Sequence, residues 1–161
     1  MKQKEVHFVY EVYNSIKSLE KADADLLQKA RAITETAYAP YSKFQVGATA
    51  LLANGEIING SNQENASYPV GLCAERVLIS AISSIHPNKA IHTMAISYNN
   101  LNGESDHPIS PCGICRQSLL EYEARLKHPI RLIMSGKEGK VFVIPNAAML
   151  LPLSFTSEDL K

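Results

Sequence analysis

The chain has very little cysteine, no net charge and no long apolar run, and each shortage excludes something. Only three of its 161 residues are cysteine. An odd count argues against a closed disulfide framework. A chain of this length buries roughly 68–70% of its unfolded surface and needs no cross-links to stabilise a core. Sixteen Lys and Arg offset sixteen Asp and Glu, for a formal charge of zero, which gives no electrostatic reason to expect bulk nucleic acid as a partner. No apolar run approaches the roughly 20 residues of a membrane span, and Met1–Tyr10 has no apolar stretch of the secretory kind. The expected setting is the cytoplasm, without membrane contact. There cysteines serve as metal ligands, catalytic groups or core filler. Repeats, low-complexity tracts and linkers rich in Gly, Ser or Pro are all missing. The expectation is therefore one domain over residues 1–161, with 1–22 as an N-terminal extension and 145–161 as a C-terminal helix and tail. No Gly-x-Gly-x-x-Gly or Walker pattern occurs. The five histidines (His7, His86, His92, His107 and His128) show no paired metal-ligand spacing.

What is present reads as a soluble globular α/β protein, 45% hydrophobic and 20% charged. Val6, Phe8, Tyr10 and Val12 alternate, predicting a half-buried strand over residues 5–12. Asp23 is placed to cap a helix running to about Ala37, with Ala24, Leu27, Ala30 and Ile33 or Thr34 facing inward. A strand over 45–53 turns at Asn54-Gly55, a two-residue hairpin signal, and returns through 56–59. Residues 60–72 read as a polar loop, 73–85 as a helix and 91–98 as a strand. Residues 99–110 read as a second polar loop, 112–127 as a helix, and 130–135 with 140–144 as a strand pair. A short helix over 146–150 and a polar tail complete the order. Helices covering a sheet is the natural architecture for this sequence of elements.

All three cysteines fall at predicted helix starts. Cys73 opens Cys73-Ala74-Glu75-Arg76, and Cys112 and Cys115 lie in Pro111-Cys112-Gly113-Ile114-Cys115-Arg116. Residues i and i+3 share a helix face, so Cys112 and Cys115 can point at one ion. Helix N-termini carry partial positive charge and favour thiolate. Three thiolates make a tetrahedral zinc site with one position open, and an open position distinguishes catalytic from structural zinc. Glu75, two residues from Cys73, is placed to move protons without being a ligand. Cys-x-Glu followed by Pro-Cys-x-x-Cys is the zinc deaminase arrangement. Three buried core thiols, or a Cys112–Cys115 redox pair, are the blander readings, and neither accounts for Glu75 beside Cys73.

The likeness extends beyond the cysteines. Tyr38-Ala39-Pro40-Tyr41-Ser42-Lys43-Phe44, Val46-Gly47-Ala48, Asn62-Gln63-Glu64-Asn65-Ala66-Ser67-Tyr68-Pro69, the two cysteine motifs and the tail Leu151–Leu160 together resemble the small homotetrameric zinc-dependent cytidine deaminases over roughly residues 26–160. The resemblance implies a central mixed five-stranded sheet flanked by helices, with the strand-like N-terminal segment extra to it. It implies one Zn²⁺ per chain on Cys73, Cys112 and Cys115, with water in the fourth position. Glu75 becomes the proton shuttle, from water to the pyrimidine N3 and then to the leaving amine. Phe44 packs on the base, Asn62 and Glu64 bond the ribose hydroxyls, and the Ala74 N–H meets the base carbonyl. Ala66 and Tyr68 approach the sugar in a neighbouring subunit's site, and Phe155 crosses an interface, so sites are shared within a homotetramer. Arg76, beside Cys73, donates hydrogen bonds to the thiolates and offsets their excess negative charge. The implied reaction is hydrolytic deamination of cytidine and 2′-deoxycytidine in pyrimidine salvage. Other aminated bases, a polynucleotide substrate, or a non-catalytic zinc module remain as alternatives. Zero net charge argues against the polynucleotide.

Overall fold

The computed structural model describes residues 1–161. Its elements are β1 (Glu11–Tyr13), α1 (Lys21–Ile33), β2 (Phe44–Leu52), β3 (Ile57–Ser61), α2 (Ala74–Ile85), β4 (Ile91–Asn100), α3 (Gly113–Leu126), β5 (Arg131–Ser135) and β6 (Val141–Ile144). Short 3₁₀ turns include Tyr68–Val70 and Ala147–Leu150. All six strands form one mixed sheet in the order β1-β6-β5-β4-β2-β3. Only the β4–β5 pair is parallel. The expected five strands are thus joined by a sixth at the edge. No helix is long and apolar enough to cross a membrane.

The two faces are unequally covered. Helix α1 lays Leu26, Leu27 and Ala30 on Ala95, Ile133, Val141 and Val143. The larger core lies on the other face, where Leu78 and Ile82 of α2 and Leu119 and Tyr122 of α3 meet Ala48, Met94, Ile96 and Leu132. Strands β3 and β4 both run antiparallel to β2 and therefore point the same way. Helix α2 follows β3 and α3 follows β4, so both helices start at the same end of the sheet. Crevices at the carboxyl ends of strands are where open α/β sheets place ligands.

Several local expectations need correction. Strand pairing in the N-terminal segment is confined to Glu11–Tyr13, opposite Val141–Val143. Val6, Phe8, Tyr10 and Val12 are exposed: the first three precede the paired residues, and Val12, though opposite Phe142, lies on the outermost strand with no further strand beside it. Asp23 does not cap α1, whose N-cap is Glu20. Its carboxylate instead takes both Arg131 guanidinium nitrogens at 2.7 and 2.6 Å, tying α1 to β5. The β2–β3 hairpin has three residues rather than two. Leu52 N–H donates to Glu56 O at 2.9 Å across Ala53-Asn54-Gly55, with Gly55 at φ +87°.

Two features fix the site helices. Glu123, in the last turns of α3, is buried and accepts from Ile130 N, Ala147 N and Ala148 N at 2.7, 3.0 and 3.1 Å. Burial pushes its carboxyl above the usual carboxylate range despite these three donors. Gly60 in β3 lets α2 sit directly on the sheet, since a Cβ there would lie 2.7 Å from Leu78 N and 2.8 Å from Ala74 O. Backbone on both sides leaves no flexible atom to yield. Gly60→Ala is expected to cost about 1–3 kcal/mol, read as a lower urea midpoint at unchanged m-value.

Candidate active site

The sheet end described above collects the three cysteines. Cys73 is the N-cap of α2 and Cys112 the N-cap of α3, both in extended backbone, and neither uses its side chain to cap its helix. Their sulfurs are left free to turn outward. Cys115 lies within the first turn of α3 and is fully buried. The three Sγ atoms lie within 4.8 Å of one another, with Cys73–Cys112 at 3.7 Å and Cys112–Cys115 at 3.4 Å. Sulfurs on a tetrahedral zinc with bonds of about 2.3 Å stand about 3.8 Å apart. No disulfide forms among them.

The electrostatics fit a cation as well. Hydrogen bonding from Cys115 and Cys112, with the Arg76 guanidinium nearby, pushes the Cys73 thiol down to about 5 against the opposing effect of burial. Cys115, sharing that proton and desolvated, is pushed up. Arg76 Nη2 donates to Gly71 O at 2.9 Å, while its Nε is buried without a hydrogen-bond partner. Such an unpaired buried donor beside Cys73 is satisfied once the neighbouring sulfurs carry negative charge. The residues present therefore fit zinc.

Glu75 is 5% exposed. Burial pushes its carboxyl above the usual carboxylate range, and the neighbouring Cys73 adds to the rise. It opens into a cleft of about 320 Å³ whose wall includes Val46, Asn62, Glu64, Leu72, Cys73, Ile109, Ser110 and Cys112. A second hollow, of about 420 Å³, continues outward past Glu64, Tyr68 and Gly71 to Tyr41 and Asn65. Ala74 is buried at the first position of α2, where a helix leaves its N–H without an intrahelical acceptor.

The residues assigned to the sugar and base are placed unevenly. Asn62 lines the cleft, but its side chain is already engaged. Its Oδ1 accepts from Val46 N at 2.7 Å, and its Nδ2 donates to Phe44 O at 2.9 Å. One amide hydrogen and part of the oxygen stay available. Glu64 is also held, accepting from Tyr41 N at 2.9 Å and Ser42 N at 3.3 Å. These bonds, those from Ser42 foremost, hold its carboxyl below the usual range. The Phe44 ring lies on Tyr98, not among the groups lining the cleft. Tyr68 is 75% exposed at the mouth, edge-on to Tyr41 at 6.0 Å. Ala66 is exposed in the same loop and lines neither hollow. Phe155 is 60% exposed on the tail and outside the cleft, its carbonyl accepting from Gln117 Nε2 at 3.0 Å.

Val46, Leu72, Ile109 and Ser110 line the cleft, and none of them carries a role in the sequence reading. Small and apolar residues have no local signature of such a role. For Ile109 and Ser110 the one available signal is position, immediately before Pro111-Cys112. Arg116 is another omission. Its Nε donates to Pro111 O at 2.9 Å and its Nη1 to Leu150 O at 3.0 Å, fixing the turn that presents Cys112.

The family model described as the cytidine and deoxycytidylate deaminase zinc-binding region matches residues 20–127. A cytidine deaminase from Halalkalibacterium halodurans is 35% identical over 136 residues, spanning 84% of this chain and 96% of that protein. One from Mycoplasma pneumoniae is 41% identical over 127 residues, spanning 78% and 90%. Among solved structures, the cytidine deaminase from Burkholderia pseudomallei superposes with a TM-score of 0.71 at 35% identity, covering 81% of this chain and 97% of that one. The cytidine deaminase from Mycobacterium tuberculosis gives 0.63 at 30% identity, covering 82% and 95%.

Proposed function

This chain belongs to the cytidine and deoxycytidylate deaminase family, and from that premise we propose that it is a zinc-dependent hydrolase that converts cytidine and 2′-deoxycytidine to the uridine forms with release of ammonia, in pyrimidine salvage. The observation that carries the reading is a buried carboxyl, Glu75, sharing one cleft with Cys73 and Cys112 of the three-thiol cluster. Cys73, Cys112 and Cys115 would hold one Zn²⁺. When bound, zinc supplies the Lewis acidity that lets a water lose a proton near neutral pH.

The chain's own residues do the rest. Glu75 accepts one proton of the attacking water and delivers it to the pyrimidine N3; once the C4–O bond has formed it takes the second proton from the new C4 hydroxyl and passes it to the amine, so that the C4–N bond breaks, C4 becomes a carbonyl and ammonia leaves. A burial-raised carboxyl suits a group that must both take and return a proton. The Ala74 N–H, at a helix start, is offered to the base carbonyl. Arg76 neutralises excess thiolate charge. Phe44 packs against the base, and Asn62 and Glu64 take the ribose hydroxyls with the hydrogen-bonding capacity their backbone partners leave free. Because those partners fix both side chains in advance, the sugar meets a rigid pair.

Tyr68 and Phe155 stand exposed and Ala66 lies beside Tyr68 in the same loop, which supports a homotetramer in which they complete a neighbour's site. A single chain in gel filtration with full activity would end that part of the reading.

The experiment that tests the function is uridine and ammonia formation by zinc-loaded protein across cytidine, deoxycytidine, cytidine monophosphate and free cytosine. Turnover of the two nucleosides is expected. No loss of cytidine absorbance with one zinc per chain bound would overturn the proposal. Glu64→Ala should raise KM for cytidine by roughly 10–100-fold, the range for losing a hydrogen bond to a charged group, and steady-state kinetics will read it.

A further inference from the structure

The Phe44 ring is not positioned by the cleft it is assigned to serve. It lies flat on Tyr98, with ring centroids 4.9 Å apart and planes 11° from parallel. The two come from neighbouring antiparallel strands. Val46 stands opposite Tyr98, and Phe44 is the next residue along on the same face. Val46 itself lines the cleft, so the stacked pair lies along the cleft's flank.

Tyr98 is in turn fixed from behind. It is 1% exposed, and its hydroxyl has a side-chain partner in His107 Nδ1 at 3.3 Å. The His107 ring meets it edge-on at 5.8 Å, and Asp106 Oδ1 lies 2.9 Å from the same ring nitrogen. The segment carrying Asp106 and His107 is itself braced. Ser105 Oγ accepts from Asn100 N at 2.8 Å, and Ser105 O accepts from Glu138 N at 3.1 Å. Gly139, at φ +81°, brings the β5–β6 turn so close that any Cβ would collide with the Asp106 carbonyl. Two residues past His107, Ile109 and Ser110 enter the cleft wall.

We propose that Tyr98 is a positioning residue for base recognition, setting the plane of the Phe44 ring while His107 holds Tyr98. The inference rests on the reading that Phe44 packs against the base. A wall that touches substrate and transition state alike affects KM and leaves kcat alone. A residue that only supported the fold would instead reduce the amount of active enzyme at constant KM.

Steady-state kinetics of the full-length, zinc-loaded protein test it. Tyr98→Leu is expected to raise KM for cytidine about 3–10-fold, the worth of an aromatic pair, with kcat within about twofold. Tyr98→Phe loses the hydroxyl but keeps the ring and its edge-on contact with His107, and should keep KM within about twofold of the parent. In a Phe44→Leu background, Tyr98→Leu should add nothing further, because its effect passes through Phe44. Unchanged KM in Tyr98→Leu, additive effects in the double variant, or no rescue by Tyr98→Phe would each overturn the proposal. Unchanged KM in Phe44→Leu alone would remove the base-wall reading, and this inference with it. If Tyr98→Leu does not accumulate as folded protein, Tyr98→Met removes the flat ring and asks the same question, and KM is independent of the folded fraction.

Discussion

Replacing Glu75 with glutamine is expected to lower kcat for cytidine by about 10²–10⁴-fold or more while one zinc per chain stays bound. The amide has the shape of the carboxyl and cannot accept the water proton. Glu64 is the only other carboxylate lining the inner cleft, and both its oxygens are tied to the 41–42 backbone. Bypass through Glu64 would also require a group held in its charged form, with its pKa lowered, to act as a proton donor. A buried amide brings no charge to desolvate, so the melting temperature should not fall. Metal analysis, melting and turnover on one preparation separate a chemical defect from a structural one. Retained turnover would refute the shuttle.

Removal of the metal should give a different signature, with turnover and stability lost together. Cys73 and Cys112 end the loops that enter two separate helices, and Cys115 is inside the core. A ligand bound only by the folded state at 100 times its Kd contributes about 2.7 kcal/mol. For a chain of this size that corresponds to a melting shift of roughly 5–10 °C. Chelation should therefore abolish turnover and lower the melting temperature by about that much, with both restored by added zinc. Cys115→Ala should do the same without recovery. Chelated protein that still deaminates cytidine would contradict the assignment of the three thiols.

The gathering of Cys73, Cys112 and Cys115 beside Glu75 was legible in the chain because type and spacing carry it together. Cysteine at a helix start, a carboxylate two residues on, and a second pair three apart remain informative without any knowledge of the rest of the fold. The sheet was legible for a similar reason, since β2 and β4 are long strands of nine and ten residues and β5, though short, has an apolar centre, each bounded by turns or loops. Misread elements depended on partners remote in sequence. Asp23 has the look of an N-cap, and only the arrival of Arg131, 108 residues later, shows where its carboxylate goes. Alternation over residues 5–12 describes a strand's faces but says nothing about whether a neighbouring edge is long enough to pair with it. Asn54-Gly55 signals a turn, while the length of that turn is decided by the Leu52–Glu56 closure. The cleft wall at Ile109 and Ser110 is set by the fold of the whole segment behind it.

The strand order makes the two ends of the chain unequal as points of attachment. β1 lies at one edge of the sheet, while the cysteine-bearing helices follow β3 at the other edge and β4 in the interior. Strands β5 and β6 stand between the amino-terminal segment and the cleft. The other end is tied to the chemistry itself, through Leu150 O on Arg116 and Phe155 O on Gln117, the two residues after Cys115. A fluorophore, affinity handle or solid support therefore belongs on the amino terminus, where a pull on the chain meets an edge strand of three residues. The same load at the carboxyl terminus would reach helix α3 within one turn of Cys115, a proposed zinc ligand.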